Sequence, residues 1–287
     1  MKQVDKGALI LRYSFPTLKN PFWQEVVAGM HEMARSVGLR VEAASAEDDE
    51  DRQAAHLEGL VSKRDDVVAL SPTHMARMLP IVAKLMASKV RVIAVDHNLG
   101  EKGTASVISA NTTGGVALAN YAIKTLGVSG KVVHLQAQAD MQSAVMRRNS
   151  FVTTIQRHGL KIVAIVEGAG TRQVARAQML DFLRKKPEFN AIYAENDVMA
   201  LGAVDALQQL GVEPWPEVLG FDGIAEALER VRDGKIAATI LQRPREIGQT
   251  ACMVAHKISR GATFDKLTTI ATRLVSRETL SQVNPGL

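Results

Sequence analysis

The sequence predicts an α/β fold built as two doubly wound lobes, each around a parallel sheet. Three observations predict it. Short apolar runs alternate with longer amphipathic runs from one end of the chain to the other. Runs such as Val67-Val68-Ala69-Leu70 and Ala191-Ile192-Tyr193-Ala194 carry no charge at any position, as strands must when helices cover both faces of their sheet. The alternation also passes through two rounds, which gives more strands than one sheet of common size holds. With 287 residues and 46% hydrophobic content, the chain can fill two cores.

A first strand is expected over 7–11. The stretch Ser14-Phe15-Pro16-Thr17-Leu18-Lys19-Asn20-Pro21-Phe22-Trp23 then reads as a strand-to-helix loop, with Asn20 as cap and Pro21 at the first helical position. An amphipathic helix over 24–37 and a second strand over 39–44 come next. The acidic group from Glu47 to Asp51 caps a helix that runs to about Val61. A strand over 67–70 ends at Ser71-Pro72-Thr73, and a helix over 75–88, a strand over 90–95 and Asp96-His97 follow. An extended run then meets Ser109-Ala110-Asn111, where the first round ends. The second round has helices over 114–126, 141–158, 171–185, 197–210, 224–232 and 245–260. Its strands fall over 131–135, 161–166, 191–194, 218–221 and 237–241. A last extended run over 269–275 precedes the tail.

Composition narrows the chemistry. The formal net charge is +5, but Lys and Arg are interleaved with Asp and Glu, so no nucleic-acid partner is expected. No apolar run approaches the ~20 residues a membrane helix needs. The single cysteine, Cys252, lies in a helical pattern and reads as a buried, inert thiol. The histidines show no metal-ligand spacing and no partnering cysteines, so neither a metal nor a cofactor is expected. Gly168-Ala169-Gly170 begins like a dinucleotide fingerprint, but Gln173 stands at the third glycine position. There is no phosphate loop ending in Gly-Lys-Ser/Thr and no Gly-x-Ser-x-Gly elbow, and an enzyme is not expected. Met1 to Lys6 lacks the apolar stretch of a secretory leader, which leaves open a cytoplasmic chain or a mature chain with an added start methionine.

Ligands of open parallel sheets bind beyond the carboxyl ends of the strands, so the residues there are the candidates. They are Asn20, Phe22 and Trp23 after the first strand, Ser71 after the third, and Asp96 and His97 after the fourth. In the second half they are Asn196, Asp222 and Gln242, with Arg147 early in the helix that follows the 131–135 strand. Such a set suits a neutral, polyhydroxylated ligand. Each sugar hydroxyl both donates and accepts, Asp takes two donors, Arg donates in a fixed fork, and Asn or Gln does both. Aromatic faces cover ring C–H groups. Each residue also has a plainer reading. Phe22 and Trp23 fit as core of the first helix, Asn196 as a turn residue and His97 as an exposed loop residue. Arg147 fits as a surface ion-pair residue, as Arg148 does. Of two neighbouring aspartates, Asp197 is assigned to helix capping and Asp222 to the ligand.

Several motifs carry a family resemblance. They are Asn20-Pro21-Phe22-Trp23, Leu70-Ser71-Pro72-Thr73, Val95-Asp96, Asn111 with Gly114-Gly115, and Arg147 four before Phe151. They continue with Ala194-Glu195-Asn196-Asp197-Val198-Met199-Ala200-Leu201-Gly202-Ala203, Gly220-Phe221-Asp222-Gly223, and Asp233-Gly234-Lys235-Ile236-Ala237-Ala238-Thr239 running on to Gln242. Through them nearly the whole chain resembles the periplasmic sugar-binding proteins of ABC transporters, in the group that includes ribose-binding protein.

The resemblance implies a type I periplasmic binding protein, with two lobes joined by a three-segment hinge that closes on the ligand. The crossings would fall near Ala110, 242–244 and 268–270. The N-terminal lobe would comprise 1–109 plus 244–268, and the C-terminal lobe 110–242 plus 270–287. By motif, Asn20, Phe22, Asp96, Arg147, Asn196, Asp222 and Gln242 match the group's ligand contacts, and Trp23 stands where a second aromatic is usual. The implied protein is a periplasmic monomer without a cofactor that hands a sugar or polyol to a membrane permease. Three positions depart from the ribose-binding pattern: Ser71 replaces an Asn, His97 an Arg, and Gly170 a Phe that closes over the sugar. These departures favour a related pentose, hexose or polyol over ribose. The competing reading is the ligand-sensing domain of a receptor or regulator without its output domain. Only Met1 to Lys6 precede the first expected strand, so the helix-turn-helix of a complete repressor is not expected.

Overall fold

The computed structural model describes residues 10–62, 67–139 and 141–282. The chain forms two compact units, one running through Ser109 and resuming at Arg243–Ile270, the other comprising Ala110–Gln242 and the segment from Ala271. It therefore passes from one unit to the other three times.

The first unit contains β1 (Ile10–Phe15), α1 (Pro21–Val37), β2 (Arg40–Ser45), α2 (Glu50–Glu58), β3 (Val67–Leu70), α3 (Met75–Ala87), β4 (Arg91–Val95) and β5 (Ala105–Ser109). The second contains α4 (Asn111–Leu126), β6 (Lys131–Gln136), α5 (Gln142–Arg157), β7 (Lys161–Glu167), α6 (Arg172–Leu183), β8 (Ala191–Ala194), α7 (Asp197–Leu210), β9 (Glu217–Asp222), α8 (Ala225–Arg232) and β10 (Ala238–Leu241). Helix α9 (Pro244–Ser259) and strand β11 (Leu267–Ile270) return to the first unit, and β12 (Arg273–Ser276) belongs to the second.

Among the described residues each unit holds one six-stranded sheet, in the orders β11-β5-β4-β3-β1-β2 and β12-β10-β9-β8-β6-β7. The pairings are parallel except β10 with β12, which is antiparallel. The orders superimpose position by position, so β4 corresponds to β9 and β3 to β8. The continuous apolar strands have the expected physical cause. In β3, Val67 and Ala69 face one cluster with α1 and α9, while Val68 and Leu70 face another with α2 and α3. In β8, Ile192 and Ala194 pack with α6 and α7, while Ala191 and Tyr193 pack with α4 and α5. With cover on both faces, successive side chains that point to opposite sides are all buried.

Several expectations need correction. Residues 7–9 of the expected first strand lie outside the described residues, and the strand continues through Ser14 and Phe15. Helix α1 starts at Pro21, as expected, capped by Asn20, whose side chain accepts from Phe22 N, and the amphipathic run over 24–37 is its continuation. The single extended run expected over 269–275 is two strands in different sheets. The break falls at Ala271-Thr272, where the chain leaves one unit for the other. Cys252 is buried on α9, and burial pushes its thiol up to about 12, well away from a reactive thiolate. Among the described residues no helix is long and apolar enough to cross a membrane.

Candidate ligand-binding site

In the first unit the candidates gather at the carboxyl ends of β1, β3 and β4. Phe22 and Trp23 lie in the first turn of α1, edge to face with ring centroids 4.8 Å apart. Both belong to the hydrophobic cluster built on Phe15 and Val26, so the plainer core reading describes their packing. Asn20 Oδ1 accepts from Phe22 N at 2.9 Å, the ordinary use of a cap.

Ser71 is buried and hydrogen-bonded within the unit. Its hydroxyl donates to Val95 O at 2.8 Å and meets the Tyr13 hydroxyl at 2.8 Å. Its one proton is committed inside the unit, so it braces β3 against β4 and β1. His97 is buried rather than exposed, with Nδ1 3.3 Å from Val95 O. Asp96 follows β4, donates its N–H to Val107 O at 2.8 Å, and has φ +59°. Burial holds the Tyr13 phenol well above its ordinary value, and the nearby Asp96 charge adds to that.

The second unit draws its candidates much closer together. Arg147 on α5 is the hub. Its Nη1 meets Asp222 Oδ1 at 3.2 Å and Glu195 O at 3.1 Å, and its Nε donates to Asn111 Oδ1 at 2.8 Å. The guanidinium carbon sits 4.0 Å from the centroid of the Phe221 ring. Gln242 Nε2 donates to Asp222 Oδ1 at 2.6 Å, and Gln242 Oε1 is buried with no hydrogen-bond partner among the described residues. Arg147, Asp222 and Gln242 are each at most 5% exposed. An ion pair so buried holds only when further hydrogen bonds satisfy it, which Asn111, Glu195 O and Gln242 provide.

The cap of α7 falls on Asn196 rather than on Asp197, the residue assigned to it. Asn196 caps α7, its Oδ1 accepting from Met199 N at 2.9 Å, while its Nδ2 donates to Gly170 O at 3.2 Å. A carboxamide offers two lone pairs and two protons, so one of each is left for a ligand. Asp197 leaves the capping to its neighbour and reaches to β9 and β10. The expectation failed because both residues are good caps and sequence does not say which one turns back onto the helix.

Two contributors were missed. Asn111, the first residue of α4, orients Arg147. Glu195 is fully buried, and its carboxylate takes His134 Nε2 at 2.7 Å, Ala137 N at 2.9 Å and Arg148 Nη1 at 3.2 Å. Arg148 is thus no surface ion-pair residue, since its partner is a buried carboxylate. A charged residue directly after an apolar strand, as Glu195 follows Ala194, was the available signal.

Asp96 and Asp222 occupy matching places, at the ends of the third strand in each sheet order. Both have positive φ, +59° and +136°. Non-glycine residues keep such conformations only where the surroundings over-determine them, and they cluster at functional sites. Among the described residues no group of three or more His, Cys, Asp or Glu is placed to hold a metal ion.

Comparison with known proteins agrees with this architecture. The periplasmic binding protein domain matches residues 11–263. The ribose import binding protein of Bacillus subtilis is 30% identical over 264 residues, covering 91% of this chain and 85% of that protein. The D-allose-binding periplasmic protein of Escherichia coli is 29% identical over 265 residues, covering 87% and 85%. Among solved structures, the Caulobacter myo-inositol binding protein bound to myo-inositol matches with a TM-score of 0.90 and 26% identity, covering 97% of each chain. By this match, and by the two parallel-sheet units that carry it, the chain belongs to the periplasmic binding protein family.

Proposed function

We propose that this protein is the solute-binding component of an ABC importer and that it captures a monosaccharide or related polyol by hinge closure. The observation that carries the reading is the buried group of Arg147, Asp222 and Gln242. It holds a guanidinium, a carboxylate and a carboxamide oxygen that has no partner among the described residues, at the carboxyl ends of the strands. A buried polar atom without a partner costs free energy unless a ligand supplies one, and a hydroxyl supplies both a donor and an acceptor. Asp96, His97, Asn20, Phe22 and Trp23 contribute from the first unit, and Asn196 adds one donor and one acceptor. The relatives whose names specify ribose, allose and myo-inositol support a hydroxyl-rich ligand of this size.

The protein works in the periplasm, as a monomer and without catalysing a reaction, and its ligand-bound form docks on a membrane permease. Closure follows from population shift, because a ligand that gains contacts only in the closed form favours that form. The departures at Ser71, His97 and Gly170 disfavour ribose. Gly170 has φ +75°, in a turn whose carbonyl takes Asn196 Nδ2, so no ring projects there.

A thermal-shift panel of D-ribose, D-allose, D-glucose, L-arabinose, myo-inositol and glycerol tests the reading, followed by calorimetry on the best binder. At least one compound should raise the melting temperature, and scattering should show a smaller radius of gyration at saturation. No shift with any compound overturns the function, and ribose as the best binder overturns the argument from the three departures.

A further inference from the structure

Asp197 is fully buried at the first position of α7, and its carboxyl group is spent entirely on neighbouring strand ends. Oδ2 accepts from Gly223 N at 2.6 Å and from Ile224 N at 3.0 Å. Oδ1 meets the Thr239 hydroxyl at 2.7 Å. Gly223 and Ile224 are the two residues directly after Asp222, and Thr239 lies in β10, three residues before Gln242. One side chain therefore ties down both strands whose ends carry the ligand-facing groups.

The backbone it holds is under strain. Asp222 has φ +136° and Gly223 φ +75°. Such a turn persists only if something outside it fixes it, and two N–H groups anchored on one carboxyl oxygen do so. The sequence also makes room for the anchor. A Cβ added at Gly220 would lie 2.2 Å from Asp197 Oδ1, so glycine at this point of β9 is what lets the carboxyl group reach the strand. The arrangement has an electrostatic cost, because burial and the charge of Asp222 push the Asp197 carboxyl up to about 7.

We infer that Asp197 is a positioning residue: it fixes the Asp222-Gly223 turn and the end of β10 so that Asp222 and Gln242 present their groups to a sugar hydroxyl. This inference rests on the sugar-binding reading of the same site. Asp197 touches no ligand itself and acts through Asp222 and Gln242.

The test uses the full chain with Asp197→Asn, Asp197→Ala and Thr239→Val. Two readouts are taken: calorimetry with D-ribose, D-allose and myo-inositol, and amide hydrogen exchange at Gly223 and Ile224. Asparagine keeps a carbonyl oxygen for the two N–H groups and an NH2 for Thr239, so Asp197→Asn should bind within about threefold of the parent. Asp197→Ala should bind at least about tenfold more weakly, with exchange at Gly223 and Ile224 faster by a similar factor and exchange in β6 unchanged. Thr239→Val removes one of the three bonds and should fall between them, which decides the matter if the alanine variant does not fold. Parent-like binding by Asp197→Ala or, in its place, by Thr239→Val overturns the inference. So does weaker binding with exchange at Gly223 and Ile224 unchanged. If the parent binds no compound of the six in the thermal-shift panel, the sugar-binding reading falls, while the exchange rates still decide whether Asp197 holds the turn.

Discussion

Gln242 Nε2 donates to Asp222 Oδ1 at 2.6 Å, and this contact fixes which way the Gln242 carboxamide points. With its NH2 turned to the carboxylate, Oε1 must be the acceptor, and it is the atom left buried without a partner among the described residues. Asp222 thus has two tasks, as a ligand group and as the residue that sets the polarity of its neighbour. Asp222→Ala should remove both and strip Arg147 Nη1 of its ion-pair partner. The expected loss is about 1–3 kcal/mol of sugar affinity or more, five- to over a hundredfold in Kd. Calorimetry checks it, and unchanged affinity would remove Asp222 from the site.

Arg147→Lys tests geometry separately from charge. The guanidinium serves Asn111 Oδ1, Glu195 O and Asp222 Oδ1 at once while lying over the Phe221 ring. A single ammonium on a flexible stem cannot reproduce that fork. The variant should lose about 1–3 kcal/mol of stability, with sugar affinity down at least about tenfold. Denaturant titration and calorimetry read the two effects. A lysine variant equal to the parent in both would mean that charge alone matters here.

Much of this arrangement was legible in the sequence, and the failures have identifiable causes. Strands β3 and β8 and helix α7 fall where periodicity and breakers put them, because each is bounded by a sharp change from apolar to polar residues. Arg147, Asp222 and Gln242 were picked out by their places after strands, and the structure brings all three into one group. That the cap falls on Asn196 and not on Asp197 was not legible. Two adjacent residues with equal capping preference differ only in what lies opposite, here the β9 turn and Thr239. The bracing contacts of Ser71 were hidden for a similar reason. A serine after a strand looks like a ligand group until Tyr13, 58 residues away in sequence, is found against it. The split between β11 and β12 was hidden because an extended segment has no periodic signal where it changes sheets.

Ser71→Ala makes the bracing role of that hydroxyl measurable. The substitution removes the donor to Val95 O and leaves the buried Tyr13 hydroxyl without its Ser71 partner. It should cost about 1–3 kcal/mol of stability. Sugar affinity should stay within about threefold, since the hydroxyl is already committed inside the unit. A stable variant with strongly reduced affinity would return Ser71 to the ligand contacts.

The pH dependence of stability should carry the signature of Asp197. Its ordinary value is 3.8, and in the fold burial first, then the charge of Asp222, raise it to about 7. The hydrogen bonds from Thr239, Ile224 N and Gly223 N pull the other way without cancelling the rise. A raised value in the folded state means that the fold keeps a proton the unfolded chain gives up. The resulting stabilisation is fully present below pH 3.8, where both states are protonated. It is lost as pH rises from there to about 7, with a slope of at most about 1.4 kcal/mol per pH unit, and is gone above that. Asp197→Asn removes the titrating group while leaving an acceptor and a donor in place. Subtracting the variant's stability from the parent's at each pH cancels the other acids, so the difference should fall between about pH 4 and pH 7 and then level off. Urea denaturation at half-unit steps from pH 4.5 to 8 reads it directly. Parallel curves for the two proteins would show that Asp197 is already ionised in the fold at the acid end. The contacts to Gly223, Ile224 and Thr239 would then outweigh its burial and the charge of Asp222.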